Sequence, residues 1–559
     1  MVLGLVLLGG GLWVPAHLRA VDASVVLSAG RTGDSLLERG RYQMDAGRLG
    51  VAQMYVAAAH LAAMPGWDRL GVTVTERTAE NPAAADWGND ARLENLFRSR
   101  SEGSSFSGFI VQREDREAAL AYLETSPSAE AQALLRCRSL DHTTLLAPSS
   151  SPAGQAFDAV LAECGLLLDG NHLTDPLRGY LNEQTRQALH GGNSLSLEQA
   201  LVDFASLGEH FNWDQLTAFV AQIPDAATLH QLAGQAGDAG DRLPLLFAAV
   251  QLSGAPGALA RYGSKFPKSG LQDISAALWY GADGVKELAE SGQRLYVSAA
   301  SQWVAAKGPL GRLYYFAADR SLQYPGLVLA VKWLLYLGAG FAFAAALHFL
   351  RPPVSELELR LQVRGFHLLR ELLFALGFLL VVLLLSEPFL AQEGQKESFS
   401  LRLHLPMAGG VVPAGVAGIK QTVMNPLNAT VWLTLLAFFV LQALIYVSCL
   451  VKLAEIRRQP VPPRMKLKLL ENEDHLFDAG LYLGFVGTII SLIIASIGLV
   501  KFSLMAAYSS TSFGIIFVVI FKIFHLRPAR RKLLLEAELA DATAARPVRA
   551  PEPVPALTS

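Results

Sequence analysis

Cysteine is nearly missing from this sequence: Cys137, Cys164 and Cys449 are the only three in 559 residues. That excludes a disulfide-dense scaffold and a four-thiolate metal centre. A charge excess is missing as well. Lys and Arg total 47 against 49 Asp and Glu, a formal net charge of −2, and no basic stripe dominates outside the flanks of apolar segments. Nothing therefore points to a nucleic-acid partner. No G-x-S-x-G, H-E-x-x-H or P-loop motif occurs, so the sequence gives no warrant for an enzyme and implies no cofactor. Alternating strand patterns are scarce. The best are RLGVTVTE over 69–76 and SGFIVQRE over 107–114, and both are brief.

What the chain has in quantity is apolar sequence. Hydrophobic residues make up 52% and mean hydropathy is +0.31, high for a soluble protein, with the excess gathered after Tyr324. Five stretches have spanning length or nearly so: 327–350, 368–390, 430–451, 480–500 and 504–524. Their connections differ in charge. Arg351, Arg360, Arg364 and Arg370 follow the first. Lys452, Arg457, Arg458, Arg464, Lys466 and Lys468 follow the third, and Arg527, Arg530, Arg531 and Lys532 follow the fifth. The alternate connections are nearly neutral. The positive-inside rule then predicts one topology in a bacterial inner (cytoplasmic) membrane, with the N-terminal region periplasmic and the C-terminus cytoplasmic. Lys332 and His348 lie towards opposite ends of the first span, where they can snorkel, and Glu387 before Pro388 is expected in solvent. A small-molecule transporter is disfavoured, because no duplicated half and no charged pair at mid-membrane appear.

Residues 1–23 read as a signal peptide or a short N-terminal anchor. The apolar run 2–14 has the length of a signal-peptide core and is followed by small residues at Ala20 and Ala23, although no positive charge precedes it. Residues 24–322 read as an exported domain of short helices punctuated by Gly, Pro, Asn and Asp, possessing the character of a solenoid. Pro224 and Pro267 stand 43 residues apart in similar surroundings, close to a HEAT-type period, and residues 36–65 resemble one tetratricopeptide hairpin, with Gly40, Ala52, Ala59 and Pro65 at its small and closing positions. An irregular all-α domain is the alternative. Cys137, Asp141, His142, Cys164, Asp169 and His172 fit no standard zinc spacing, so no metal site is assigned. Export favours a Cys137–Cys164 disulfide over two buried thiols. The fold class is thus mainly α: an exported helical domain, then a five-helix transmembrane region. Residues 323–426 hold two spans and an outer loop, 427–535 hold three spans, and 536–559 read as a disordered cytoplasmic tail.

The last two spans keep interrupting themselves with small residues. Gly480, Gly484, Thr488, Ser491, Ala495 and Gly498 fall three or four apart on one helical face, and Ala507, Ser510, Thr511 and Gly514 form a shorter stripe. Such stripes let helices approach closely, and their hydroxyls bond between helices; they also suit a narrow polar pathway. The run GFVGTIISL followed by AYSSTSFGIIFVVI and a basic stretch resembles the last two helices of the MotA/TolQ/ExbB proton-channel family. Gly484, Gly487 and Thr488 match its first motif, and Ser510, Thr511 and Gly514 its second. The resemblance covers 427–535 and implies a homo-oligomeric ring around an ExbD/TolR-like single-span partner whose aspartate carries the proton. Thr488 and Thr511 would line that path, with Ser491 beside them, and the exported domain would couple the ion gradient to an envelope protein. The alternative is a membrane-anchored helical-repeat scaffold in which the stripe only packs. No carboxylate lies inside either helix, so the acid would have to come from the partner.

Overall fold

The structure, a computed structural model, describes residues 1–31, 33–88, 90–97, 105–141, 143–297, 308–349, 366–389, 429–496 and 504–544. The chain divides into two compact units. One is Pro15–Gly326; the other joins Met1–Val14 to Leu327–Ser559, so the first unit is an insertion in the second.

Pro15–Gly326 is a stack of short helices around a main apolar core that runs from Ala23 to Leu295 and a smaller cluster that includes Leu49, Leu70, Val74 and Ala84. Local chemistry sets where the helices start. Ser35 and Glu38 cap each other's backbone at the start of Leu36–Asp45, Asn212 and Gln215 do the same for Trp213–Val220, and Asp225 caps Ala226–Ala239. The hairpin read from residues 36–65 is present as Leu36–Asp45 packed on Leu49–Leu61. Gly40 permits its close approach: a Cβ there would stand 3.0 Å from Leu70 and 3.2 Å from Tyr55. Ala52 and Ala59 are fully buried.

Both expected strands are helical instead. Residues 69–76 lie within the helix Trp67–Glu80. Its β-branched threonines are accommodated because the Thr73 and Thr75 hydroxyls donate to the carbonyls of Arg69 and Gly71. Leu70 and Val74, four apart, are the residues that reach the core, so the helical period prevails over the alternation. Residues 107–114 divide between the helices Phe106–Ile110 and Arg113–Glu124. Among the described residues the strands that form are Ala20–Asp22 and Arg294–Tyr296, a parallel pair with Val21 opposite Leu295.

In the second unit a helix occupies each of the five apolar stretches: Pro325–Phe349, Phe366–Ser386, Ala429–Arg458, Ala479–Ser496 and Leu504–Phe521. Among the described residues, three helical segments are long and apolar enough to cross a membrane: Pro325–Leu347, Phe438–Arg458 and Tyr508–Asp541. The last helix does not stop near residue 524. It passes through a π turn, Lys522–Leu526, and continues as Arg527–Ala544, so the first part of the segment read as a disordered tail is helical. At this basic end Leu453, Ile456, Leu470, Phe477, Phe521, Leu526 and Leu533 form a second core. Lys522–Asp478 and Arg530–Asp474 ion pairs flank it. The outer loop within 390–428 and the tail beyond 544 lie outside the described residues.

Candidate functional site

The small-residue stripes meet where Ala479–Ser496 packs along Leu504–Phe521, with Ala429–Arg458 touching both helices. Gly484, Gly487 and Gly514 each sit where a neighbour's backbone or hydroxyl leaves no room for a side chain. A Cβ at Gly484 would lie 2.7 Å from the Ser510 carbonyl, one at Gly514 2.6 Å from the Gly480 carbonyl, and one at Gly487 2.8 Å from Ser510 Oγ. The backbones therefore touch. Within a helix every N–H is already bonded four residues back, so the groups free to bond across such a contact are carbonyl lone pairs. Hydroxyls are the side chains suited to them. Thr488 Oγ1 donates to the Gly484 carbonyl at 3.0 Å. Thr511 Oγ1 lies 3.2 Å from the same carbonyl and 2.6 Å from Thr488 Oγ1. Two hydroxyls and one carbonyl close a triangle in which both protons are used. Thr488 and Ser510 are buried. The side chain of Ser491 lies outside the described residues.

One participant has no counterpart among the residues singled out from the sequence. Gln442, on Ala429–Arg458, is 1% exposed. Its Nε2 donates to the Gly480 carbonyl at 3.1 Å, and its Oε1 is buried without a hydrogen-bond partner among the described residues. The amide cannot be reversed to relieve this, because a carbonyl accepts only from the nitrogen. A turn further towards the basic end, Tyr446 Oη and His525 Nε2 are 2.8 Å apart, with His525 in the π turn. Gln442 is the one amide in FFVLQALIY, which was the available signal. Lys332 and Glu387 depart from expectation: neither snorkels nor sits in solvent, being 1% and 7% exposed.

The insertion unit buries carboxylates as well as hydroxyls. Glu198 accepts from the N–H groups of Thr144, Leu145 and Leu146 and from Ser194 Oγ, pinning the loop before Gln155–Asp169. Burial opposes its charge, but these donors hold its carboxyl below the ordinary range. Asp214 accepts from Arg48 Nε at 2.7 Å and from Val51 N–H at 3.0 Å. It thereby caps Leu49–Leu61, a helix whose own N-cap residue supplies no side-chain bond. Glu163 is fully buried, with Ser107 Oγ 2.7 Å from Oε2 and no partner for Oε1 among the described residues. Burial pushes its carboxyl up to about 8.

Of the residues weighed for metal, Asp169 accepts from Tyr122 Oη at 2.9 Å and from Arg92 at 3.1 Å, as well as from Ser126. His172 stands 3.7 Å from Asp90, and His142 lies outside the described residues. Among the described residues no group of three or more His, Cys, Asp or Glu side chains is placed to hold a metal ion. Cys137 and Cys164 are free thiols, so the disulfide expected of them is not formed. Both belong to the apolar core, and burial pushes the Cys137 thiol up to about 12. Set against known proteins, the chain matches no family model, no curated protein and no solved structure.

Proposed function

We propose that this chain is an integral membrane protein that displays a helical domain, Pro15–Gly326, as a protein-interaction scaffold, with its basic segments in the cytoplasm and the domain across the membrane from them. The observation that carries this reading is the closed triangle of Thr488, Thr511 and the Gly484 carbonyl. Its hydroxyl protons find acceptors within one chain, and the space beside Gly484, Gly487 and Gly514 is filled by backbone and the Ser510 hydroxyl. Such a contact is a joint between helices. The buried carboxylates of the insertion unit hold loops and helix ends in the same structural manner.

An ion-coupled ring subunit of the MotA/TolQ/ExbB kind is the second reading. It is favoured by the Gln442 Oε1, an acceptor at the same helix junction that a donor from another helix would satisfy. The native mass and composition of the detergent-solubilised complex separates the two. A ring of several copies with a small single-span protein carrying an aspartate supports ion coupling. A monomer or dimer without one supports the scaffold.

A further inference from the structure

The N-terminal apolar helix Val2–Trp13 carries glycines at positions 4, 9, 10 and 11, and they are not equivalent. Gly4 and Gly11 are seven residues apart, two turns, and share a face. A Cβ on Gly11 would lie 2.5 Å from the Tyr336 ring, and one on Gly4 3.0 Å from the Phe343 ring. Tyr336 and Phe343 are also two turns apart, on Pro325–Phe349, and the pairing order makes the two helices antiparallel. The fit is reciprocal: Leu7 sits 3.5 Å from where a Cβ of Gly338 would be. Gly9 faces open space, and Val2, Leu3, Leu5, Val6 and Leu12 point outward. A cleaved leader needs an apolar core but has no use for sockets matched to two aromatic rings of a distant helix.

The chain immediately after this helix is equally committed. Ala20 and Ala23, the small residues that suit a peptidase, are 3% and 7% exposed. Ala20–Asp22 is paired with Arg294–Tyr296. Asp22 accepts from Ser24 N–H at 2.9 Å, Ser24 Oγ at 2.7 Å and Tyr314 Oη at 3.0 Å. Ser321 Oγ donates to the Pro15 carbonyl. A cut after Ala20 would sever this strand and leave a new ammonium group on its buried remainder.

We infer that Val2–Trp13 is retained as a membrane helix docked on Pro325–Phe349, so that Pro15–Gly326 is tethered to the membrane at both of its ends. The test is N-terminal sequencing and intact mass of the full chain purified from membranes, together with two variants, Gly11→Leu and Gly9→Leu. Retention predicts an uncut chain of 60.2 kDa. It also predicts that Gly11→Leu lowers the unfolding midpoint in detergent by at least about 3 °C while Gly9→Leu leaves it unchanged. A chain beginning at Val21 or Ser24 overturns the inference, and so does an equal response, or none, from both variants.

Discussion

The junction of the last two apolar helices and the insertion unit satisfy their buried polar groups in different ways. In Pro15–Gly326 the buried acceptors are carboxylates such as Glu198 and Asp214, and their donors are backbone N–H groups of a loop and of a helix N-terminus. At the contact between Ala479–Ser496 and Leu504–Phe521 the buried groups include the Thr488 hydroxyl, and what the threonine hydroxyls meet is a carbonyl; elsewhere in that unit Glu371, Glu387 and Glu455 are buried as well. The difference follows from where spare backbone groups exist. A domain made of many short helices has many ends and loops, each with unpaired N–H groups that a carboxylate can satisfy. Along the middle of a membrane helix no N–H is free, so a carboxylate finds no backbone donor there, whereas a hydroxyl can add a bond to an occupied carbonyl.

The largest effects should come from filling the contact between the last two apolar helices. In the double variant Gly484→Leu, Gly514→Leu each new side chain meets a carbonyl of the neighbouring helix. Overpacking costs roughly 1–3 kcal/mol per site when side chains can yield, and backbone yields less. The pair should separate, read as loss of protease-resistant folded protein in membranes. In the insertion unit the comparable break is Asp214→Ala, which uncaps Leu49–Leu61 and leaves Arg48, 32% exposed, with its bonds to the residue-214 carbonyl and to Thr217. Losing a cap and a charge-assisted bond of this kind costs roughly 1–3 kcal/mol. Hydrogen exchange should accelerate first at the amide of Val51. A variant exchanging like the parent would mean that this long-range cap contributes nothing.

Glu163 sharpens the comparison, because it is a carboxylate in the insertion unit without a full set of donors. With its carboxyl raised to about 8, the native state keeps a proton that the unfolded state releases. Stability should therefore fall as pH rises from the ordinary glutamate range towards 8, by at most roughly 1.4 kcal/mol per pH unit. Glu163→Gln should remove that slope and be the more stable protein at pH 8. Unfolding midpoints of both proteins from pH 5 to pH 8 check this, and parallel curves would refute it.

Much of this was legible in the sequence, for identifiable reasons. The helices of the insertion unit announce themselves through caps at Ser35, Asn212 and Asp225, and the membrane stripe through spacings of three and four, because both are local signals. What could not be read depends on distant partners. Asp214 lies 166 residues from Arg48, and Ala20–Asp22 pairs with a strand more than 270 residues on, so neither leaves a trace nearby. Lys332 and Glu387 carry the pattern of snorkelling or solvated residues and are buried. Glu163 was half visible: it interrupts the apolar run of Gln155–Asp169, whose surroundings bury it on every side.

The smallest expected effect decides most about function. Thr488→Val and Thr511→Val remove hydroxyls from the triangle while keeping its volume and branching. Interhelical hydroxyl bonds within membranes contribute about 1 kcal/mol or less each, so either variant should fold, insert and assemble nearly as the parent does. Valine leaves behind no unsatisfied donor, and the Gly484 carbonyl keeps its helical N–H partner. A joint therefore tolerates the change, and binding by the displayed domain should be untouched. A proton path does not, because it needs those oxygens as the proton carrier passes. Proton flux into vesicles holding the purified complex, measured beside the unfolding midpoint, separates the two. Flux in the parent that disappears in either variant at unchanged stability would overturn the scaffold reading. No flux in any of the three, with a midpoint lowered slightly and equally by both substitutions, is what a helix joint predicts.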